Sequence, residues 1–414
     1  MSAEEAVSMD EAVIVAATRS PIGRAHKGSL AGIRPDDLAA QIVGQALSRV
    51  PELDPRDIDD LMLGCGQPGG EAAFNIGRVV AVNLDLDHLP GVTVNRYCAS
   101  SLQTTRMAFH AIRSGEGSAF ISAGVESISS TVRGSADGWP DTHNPRYSAA
   151  EAMSQVVAES GADSWSDPRD RGELPDVYMK MGQTAENVAV MYGVSRADMD
   201  YFGVRSQNLA EGAIRDGFWA REITPIELAD GSRVTTDDGP RAGVTYDAVA
   251  ALKPVFRPHG RVTAGNCCPL NDGAAALVVL SAAMAKQLGL TPLARIVSTA
   301  VSGLSPEIMG LGPVEATQRA LARAGMAIDD IDLVEINEAF ASQVLASQRA
   351  LGIDMDRLNV NGGAIAVGHP FGMTGARITT TLINSLQFHD KQFGLETMCV
   401  GGGQGMAMIL ERLA

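Results

Sequence analysis

Asp57-Ile-Asp-Asp-Leu-Met-Leu-Gly-Cys65 returns in the second half of the chain as Asp330-Ile-Asp-Leu-Val-Glu-Ile-Asn337. Each copy is an acidic turn leading into an apolar run of strand length. Val92-Thr-Val-Asn95, followed by a helical pattern, is echoed by Leu358-Asn-Val-Asn361, a glycine-rich loop and the helical stretch Ala376–Leu386. Phe120-Ile-Ser-Ala-Gly124 is echoed by Thr397-Met-Cys-Val-Gly401. The order is kept and the offsets are similar, which reads as two related α/β halves rather than a chance likeness of ordinary strand–helix units. Around these phrases, Ala12-Val-Ile-Val-Ala-Ala17 has the character of a buried strand. Leu38–Val50 (Leu38, Ile42, Val43, Leu47) and Ser100–Arg113 (Leu102, Phe109, Ile112) have helical spacing. Strands alternating with helices predict a mostly parallel sheet covered on both faces.

The repeat is interrupted. From Ser127 to Pro175 the composition shifts to Ser, Gly, Asp and Pro with scattered Trp and little periodicity. Helical patterns resume at Thr184–Met191 and Arg196–Arg215, and Thr235–Gly243 is again rich in turn residues. Such an excursion inside an α/β frame reads as a functional lid, the alternative being a surface insertion without function. The expected division is a first half over 1–126, an inserted lid over 127–255, a return to the first half over 256–290, and a second half over 291–414.

The 414 residues carry 33 basic and 49 acidic side chains, a formal charge of −16. That balance argues against nucleic acid or an anionic membrane as partner. The acidic start Met1–Asp10 lacks the pattern of a signal peptide, and the longest apolar stretch, Gly273–Ala285, is too short for a membrane span. A cytoplasmic chain with reduced thiols is the expectation.

Five cysteines without a C-x-x-C pair suggest neither a disulfide set nor a zinc site. Cys98, in Val94-Asn-Arg-Tyr-Cys-Ala-Ser-Ser101, falls between a strand and the first turn of a helix, where orphan N–H groups and the helix dipole would lower a thiol pKa and hold an oxyanion. A cysteine filling a tight turn has the same look. His369 sits in Asn361-Gly-Gly-Ala-Ile-Ala-Val-Gly-His-Pro-Phe-Gly-Met-Thr-Gly375, which lacks the Gly-Lys-Ser/Thr of a phosphate-binding loop. A histidine bonding its own loop is the plain alternative. Cys399 ends a strand before Gly401-Gly-Gly-Gln-Gly405, in what looks like a hairpin. Asn337 and Glu338 follow a strand and fit a helix N-cap and first turn equally well. Taken singly, each has a structural explanation. Placed at equivalent strand ends of a doubled fold, they converge on a thiol nucleophile, a histidine base, a second thiol and an amide, a set suited to acyl transfer.

Together these segments resemble the thiolase family. The likeness runs through Thr18-Arg-Ser-Pro-Ile-Gly23, Asn95-Arg-Tyr-Cys98, Met181-Gly-Gln-Thr-Ala-Glu186, Thr263-Ala-Gly-Asn266, Asn271-Asp-Gly-Ala-Ala275, Asn337-Glu-Ala-Phe-Ala341, Gly368-His-Pro370 and Cys399-Val-Gly-Gly-Gly403. The resemblance implies duplicated five-stranded α/β halves in αβαβα layers, an inserted lid, and a homodimer or homotetramer. It implies Cys98 as the acyl-accepting nucleophile, His369 as its base and Cys399 as the acid/base for carbon or the CoA thiol. Asn337 would hold a water that, with His369, stabilises an enolate, and the N–H groups of Cys98 and Gly401 would form a second oxyanion hole. Met181, Phe256, Ala264, Cys268, Met309, Ala339 and Phe340 would contact CoA or the acyl group. No permanent cofactor and no metal are implied; CoA and acyl-CoA are substrates.

Three departures stand out: Cys268 where many thiolases have Ser, Lys180 where acetoacetyl-specific members commonly have His, and Ala99-Ser100-Ser101 in place of a glycine-rich triplet. They point to degradative cleavage of 3-ketoacyl-CoA over biosynthetic condensation of two acetyl-CoA. A non-enzymatic acyl-CoA scaffold would have lost a reactive group, and a decarboxylating ketoacyl synthase would carry a second histidine. Because CoA is a polyanion, local cations must reverse the global charge, with Lys180, Arg241, Lys253 and Arg257 as candidates.

Overall fold

The echoed phrases, except Leu358–Asn361, become equivalent strands of one ten-stranded sheet. The computed structural model describes residues 11–131, 141–161 and 163–414; the acidic start Met1–Asp10 and part of the irregular stretch after Ser127 lie outside the described residues. In the first half and lid the strands are β1 (Ala12–Arg19), β2 (Gly23–Arg24), β3 (Asp60–Gly64), β4 (Gly91–Val94), β5 (Ala119–Ser127), β6 (Ile226–Glu227), β7 (Arg233–Val234) and β8 (Asn271–Ser281). The second half adds β9 (Ala294–Gly303), β10 (Leu333–Ile336), β11 (Phe393–Val400) and β12 (Gln404–Arg412). The order across the sheet is β10-β11-β12-β9-β1-β8-β5-β3-β4, with β2 beside β8, while β6 and β7 form a separate hairpin.

The halves therefore run β4-β3-β5-β8-β1 and β10-β11-β12-β9, joined where β1 pairs antiparallel with β9 at Val13↔Arg295 and Ile14↔Ala294. The fifth strand of the second half is reduced to a single parallel bridge, Val334↔Leu358. Asn359 explains the loss: its backbone turns to φ +44°, and its side chain takes over the ladder, accepting from Ile336 N (2.8 Å) and donating to Ile336 O (2.9 Å).

The sheet is mixed, not mostly parallel. Only β3–β4, β3–β5 and β10–β11 are parallel among the described pairs. Strand–helix alternation reports those crossovers alone. β12 comes back through a tight hairpin whose Gly402 and Gly403 take φ +74° and +80°, and β8 re-enters antiparallel to β5 after the lid.

Two helices cross between the halves, Ser100–Ser114 and Phe371–Phe388. Leu102, Ile112, Ile378, Leu382 and Ile383 are buried there in one cluster, each contributing about 1.5–3 kcal/mol by leaving water. A Cβ on Gly375 would lie 2.0 Å from the Leu102 backbone nitrogen, so only glycine lets the helices approach this closely. This contact sets both helix N-termini, and with them the residues just before, at one end of the sheet.

Between β5 and β8 the helices Met181–Met191 and Arg196–Arg215 form, the latter behind a Ser195–Asp198 capping box. A further helix, Ser148–Ser160, lies where the sequence showed little periodicity. Its pattern is faint because it buries no face fully, leaving Met153 and Val156 exposed. Arg19, fully buried on β1, ties down the turn-rich Thr235–Gly243 by a bidentate pair with Asp237 (2.8 and 2.9 Å).

Candidate active site

Cys98 lies in a turn knotted by its own polar groups. Tyr97 takes φ +44°, its N–H donates to Asn95 Oδ1 (2.8 Å), and Ser100 Oγ donates to Tyr97 O (2.6 Å). The helix starts at Ser100 with Ala99 as N-cap, so Cys98 precedes the first turn. The N–H groups of Ala99 and Ser100 are already given to Arg96 O and Tyr97 O. This corrects the expectation of a lowered thiol pKa. Burial pushes the Cys98 thiol up to about 12, with the nearby Glu126 charge adding to it and the N–H groups of Gly401 and of Cys98 itself opposing. At rest Cys98 is a neutral thiol, and its reactivity requires a base.

His369 is held by hydrogen bonds from two elements. Its backbone N–H donates to Asn271 Oδ1 (2.9 Å) on β8. Its Nδ1 lies 2.6 Å from Thr374 Oγ1, whose own hydrogen goes to Pro370 O (2.7 Å). If the Thr374 hydrogen goes to Pro370 O, the hydroxyl accepts from Nδ1 and the lone pair falls on Nε2, the tautomer this geometry fits. Burial, with the Arg377 charge behind it, pushes the imidazole down to about 3. His369 therefore starts neutral and able to accept. Asn337 Nδ2 is 3.3 Å from Nε2, while Asn337 Oδ1 is buried with no hydrogen-bond partner among the described residues.

Replacing Thr374 by Val removes the group that fixes this tautomer. Turnover is expected to fall about 10–100-fold with KM little changed, measured by steady-state kinetics; unchanged turnover would remove Thr374 from the arrangement.

Cys399, at the end of β11 and 1% exposed, faces Gly405 across the hairpin. Burial and then the charge of Cys98 push its thiol well above the usual range. Cys268 is pushed up by burial, then by Cys267, Cys98 and Cys399, which places the sulfurs in electrostatic reach of one another. Cys268 N–H donates to Ala339 O (3.0 Å), and Cys267 bridges Phe340. A Cβ on Gly401 would lie 3.3 Å from the Tyr97 ring, bringing the hairpin against the nucleophile turn.

One family model, the thiolase N-terminal domain, matches residues 12–283, and another, the thiolase C-terminal domain, matches 290–412. The chain belongs to the thiolase family. It is 42% identical over 416 residues to the 3-ketoacyl-CoA thiolase of Bacillus subtilis, covering 97% of this chain and 100% of that protein. It is 43% identical over 411 residues to the beta-ketoadipyl-CoA thiolase of Pseudomonas aeruginosa, covering 97% and 99%. The crystal structure of human mitochondrial 3-ketoacyl-CoA thiolase in complex with CoA superposes with a TM-score of 0.84 at 33% identity, covering 98% and 99%.

Within this thiolase frame, Cys98, Cys268, Cys399 and Gly401 come together, and Asn337 and His369 form a second group. The groups adjoin through Asn337 N–H to Thr397 O (3.0 Å) and through Ala339 to Cys268. Phe256 lies edge-on to Phe340, with centroids 6.4 Å apart, and Met181 and buried Met309 pack in the same apolar cluster as Cys399. Ala264 is exposed, at the rim. Lys180, Arg241 and Lys253 are exposed, whereas Arg257 is buried and holds Gln183 and Asn187, so it braces the lid's interior rather than offering a surface cation. Asn337 is not a helix N-cap: the helix begins at Ala341 behind Phe340. Glu338 instead accepts from Ser206 Oγ (2.6 Å), Ile365 N (3.0 Å) and Asn359 Nδ2 (2.9 Å), bracing the loop ahead of His369.

The sequence reading missed Thr374, Asn271 and Glu126. The first two are ordinary polar residues without a local signal. Glu126 had one: a carboxylate near the end of an otherwise apolar strand.

Proposed function

We propose that this thiolase cleaves 3-ketoacyl-CoA with CoA to give acetyl-CoA and a shortened acyl-CoA. The observation that carries the reading is a buried histidine whose Nδ1 meets Thr374 Oγ1 and whose Nε2 meets Asn337 Nδ2, near a two-thiol site in which the Gly401 N–H faces the Cys98 sulfur. His369 takes the Cys98 proton as the sulfur adds to the 3-keto carbon, and the N–H groups of Cys98 and Gly401 hold the oxyanion. Collapse breaks the bond between C2 and C3. The electron pair stays on C2 as the enolate of acetyl-CoA, steadied by imidazolium and an Asn337-held water, and the Cys399 thiol protonates it. CoA then gives its thiol proton to Cys399 and attacks the acyl–sulfur bond, and the Cys98 sulfur leaves and recovers its proton from His369.

Residues 127–255 act as the lid, closing over the acyl group and pantetheine. A cavity of about 540 Å³ beneath the helix Ser148–Ser160, walled by Met153, Val157, Trp165, Leu174 and Met179, gives room for an acyl tail beyond acetoacetyl. Met179 and Gln183 also line the neighbouring cleft that holds Lys180 and Phe256, which fits the CoA arm. Of the candidate cations Lys180 lines this cleft, while exposed Arg241 and Lys253 lie outside its lining. β4 ends the sheet with one side unpaired and exposed Phe74 and Tyr97 close by in sequence, which suits pairing with a second copy in a dimer or tetramer. No helix among the described residues is long and apolar enough to cross a membrane, and we place the protein in the cytoplasm.

A CoA-dependent thiolysis panel over acetoacetyl, medium, long and polycyclic acyl chains tests the reading. A kcat/KM for chains longer than acetoacetyl at least tenfold above that for acetoacetyl-CoA is expected. Preference for acetoacetyl would favour biosynthetic condensation, and no cleavage of any chain would overturn the proposal.

A further inference from the structure

Glu126, next to last in β5, is 1% exposed. Its Oε2 accepts the N–H groups of Gly66 and Gly372, both at 2.8 Å; its Oε1 accepts from Gln67 N–H at 3.1 Å and lies 3.8 Å from Cys65 Sγ. Gly66 and Gln67 leave β3 in the first half, whereas Gly372 is in the first turn of the helix that follows His369 in the second. One carboxyl group therefore gathers donors from both halves, and it meets a helix N-terminus where a negative charge is favoured. There is no slack at this junction. A Cβ on Gly66 would stand 2.8 Å from Glu126 Oε2, 2.9 Å from Phe371 Cβ and 3.1 Å from Tyr97 O. The histidine's loop and the nucleophile's turn thus touch the same residue that Glu126 holds.

We propose that Glu126 is a positioning residue for acyl transfer: its carboxyl group pins the exit of β3 and the start of the His369 helix to a common point, keeping the Tyr97–Cys98 turn in register with the base. This rests on the thiolase reading of Cys98 and His369. Once ionised, the carboxylate only accepts, and every neighbour is a donor. An amide of the same size must turn an NH2 toward either Gln67 or the Gly66–Gly372 pair, leaving donor against donor. The titratable groups that face Glu126 are Cys65 from the β3 loop and Cys98 from the nucleophile turn; the helix offers the Gly372 N–H, and β8 puts Gly273 opposite. Burial pushes the carboxyl up to about 7, against the pull of its N–H donors. Ionisation above that pH adds a negative charge beside Cys98 and disfavours its thiolate.

The test compares wild type with Glu126→Gln and Glu126→Asp in the full-length protein. Thiolysis gives kcat and KM, and iodoacetamide labelling of Cys98 across pH 5.5–9 gives its reactivity without substrate. For Glu126→Gln, kcat is expected to fall at least 30-fold with KM within threefold, and the break in the wild-type labelling profile near pH 7 should vanish. Glu126→Asp, which keeps the charge but shortens its reach, should lose kcat while keeping a break. A Glu126→Gln kcat within threefold of wild type would overturn the proposal, as would an unchanged labelling profile. If the Gln variant does not fold, full activity in the Asp variant overturns it. Wild type that labels with the break near pH 7 yet shows no thiolysis would refute the thiolase reading and leave the labelling comparison to decide Glu126.

Discussion

Cys98→Ala is expected to abolish the acyl adduct and to lower thiolysis by roughly 10⁴-fold, about 5.5 kcal/mol of transition-state stabilisation. The size follows from the chemistry. Without sulfur there is no covalent intermediate, and CoA would have to attack the 3-keto carbon directly in a pocket arranged for two sequential displacements. The thiolate is unfavourable at rest, since burial raises the Cys98 thiol to about 12 and buried His369 is pushed down to about 3. On the proposed mechanism, proton transfer between them is driven by attack on substrate, whose oxyanion the Cys98 and Gly401 N–H groups would receive. Mass spectrometry after incubation with a 3-ketoacyl-CoA reads the outcome: acyl mass on the peptide containing Cys98 in wild type, none in the variant. An adduct that survives the substitution would end the assignment.

Cys399→Ala is expected to separate the two halves of the reaction. Acylation of Cys98 from a simple acyl-CoA should persist, because His369 and the N–H groups around Cys98 are untouched. Cleavage and formation of the carbon–carbon bond should fall by about 10³-fold or more, since the departing C2 carbanion loses its proton donor. Its raised thiol pKa gives the sign: Cys399 holds its proton at neutral pH and is ready to donate it to carbon. Hydrogen–deuterium exchange at C2 of acetyl-CoA, followed by NMR, provides a second readout and should stop in the variant. Full exchange there would remove Cys399 from the mechanism.

The candidate residues stood out in the sequence because Cys98, Asn337 and Cys399 follow or close apolar runs of strand length and His369 sits between Gly368 and Pro370. Their protonation states did not. The lowered pKa expected for Cys98 failed because the N–H groups of Ala99 and Ser100 close the turn onto Arg96 and Tyr97, a pairing that spacing does not reveal. The repeat was visible in its apolar runs, yet sheet direction was not, since antiparallel β8 and β12 come back through a lid and a glycine hairpin that carry no strand–helix rhythm. Asn359 hid the missing fifth strand by substituting its side chain for backbone pairing. Thr374 and Glu126 stayed unseen because their partners lie on other elements.

The seam at Val13↔Arg295 and Ile14↔Ala294 has an evolutionary consequence. β1 and β9 are the same strand of the repeat, and they meet antiparallel, as equivalent strands do across a two-fold axis. The chain is in effect an isologous pair made covalent. Fusion released the two copies from identity: where the second carries Cys399, the matching position of the first is Ser122, whose hydroxyl is committed to Thr104 and Thr105 at 2.8 Å. A symmetric ancestor would have owned two identical pockets; in the fused chain Cys98 comes from one copy and His369 from the other.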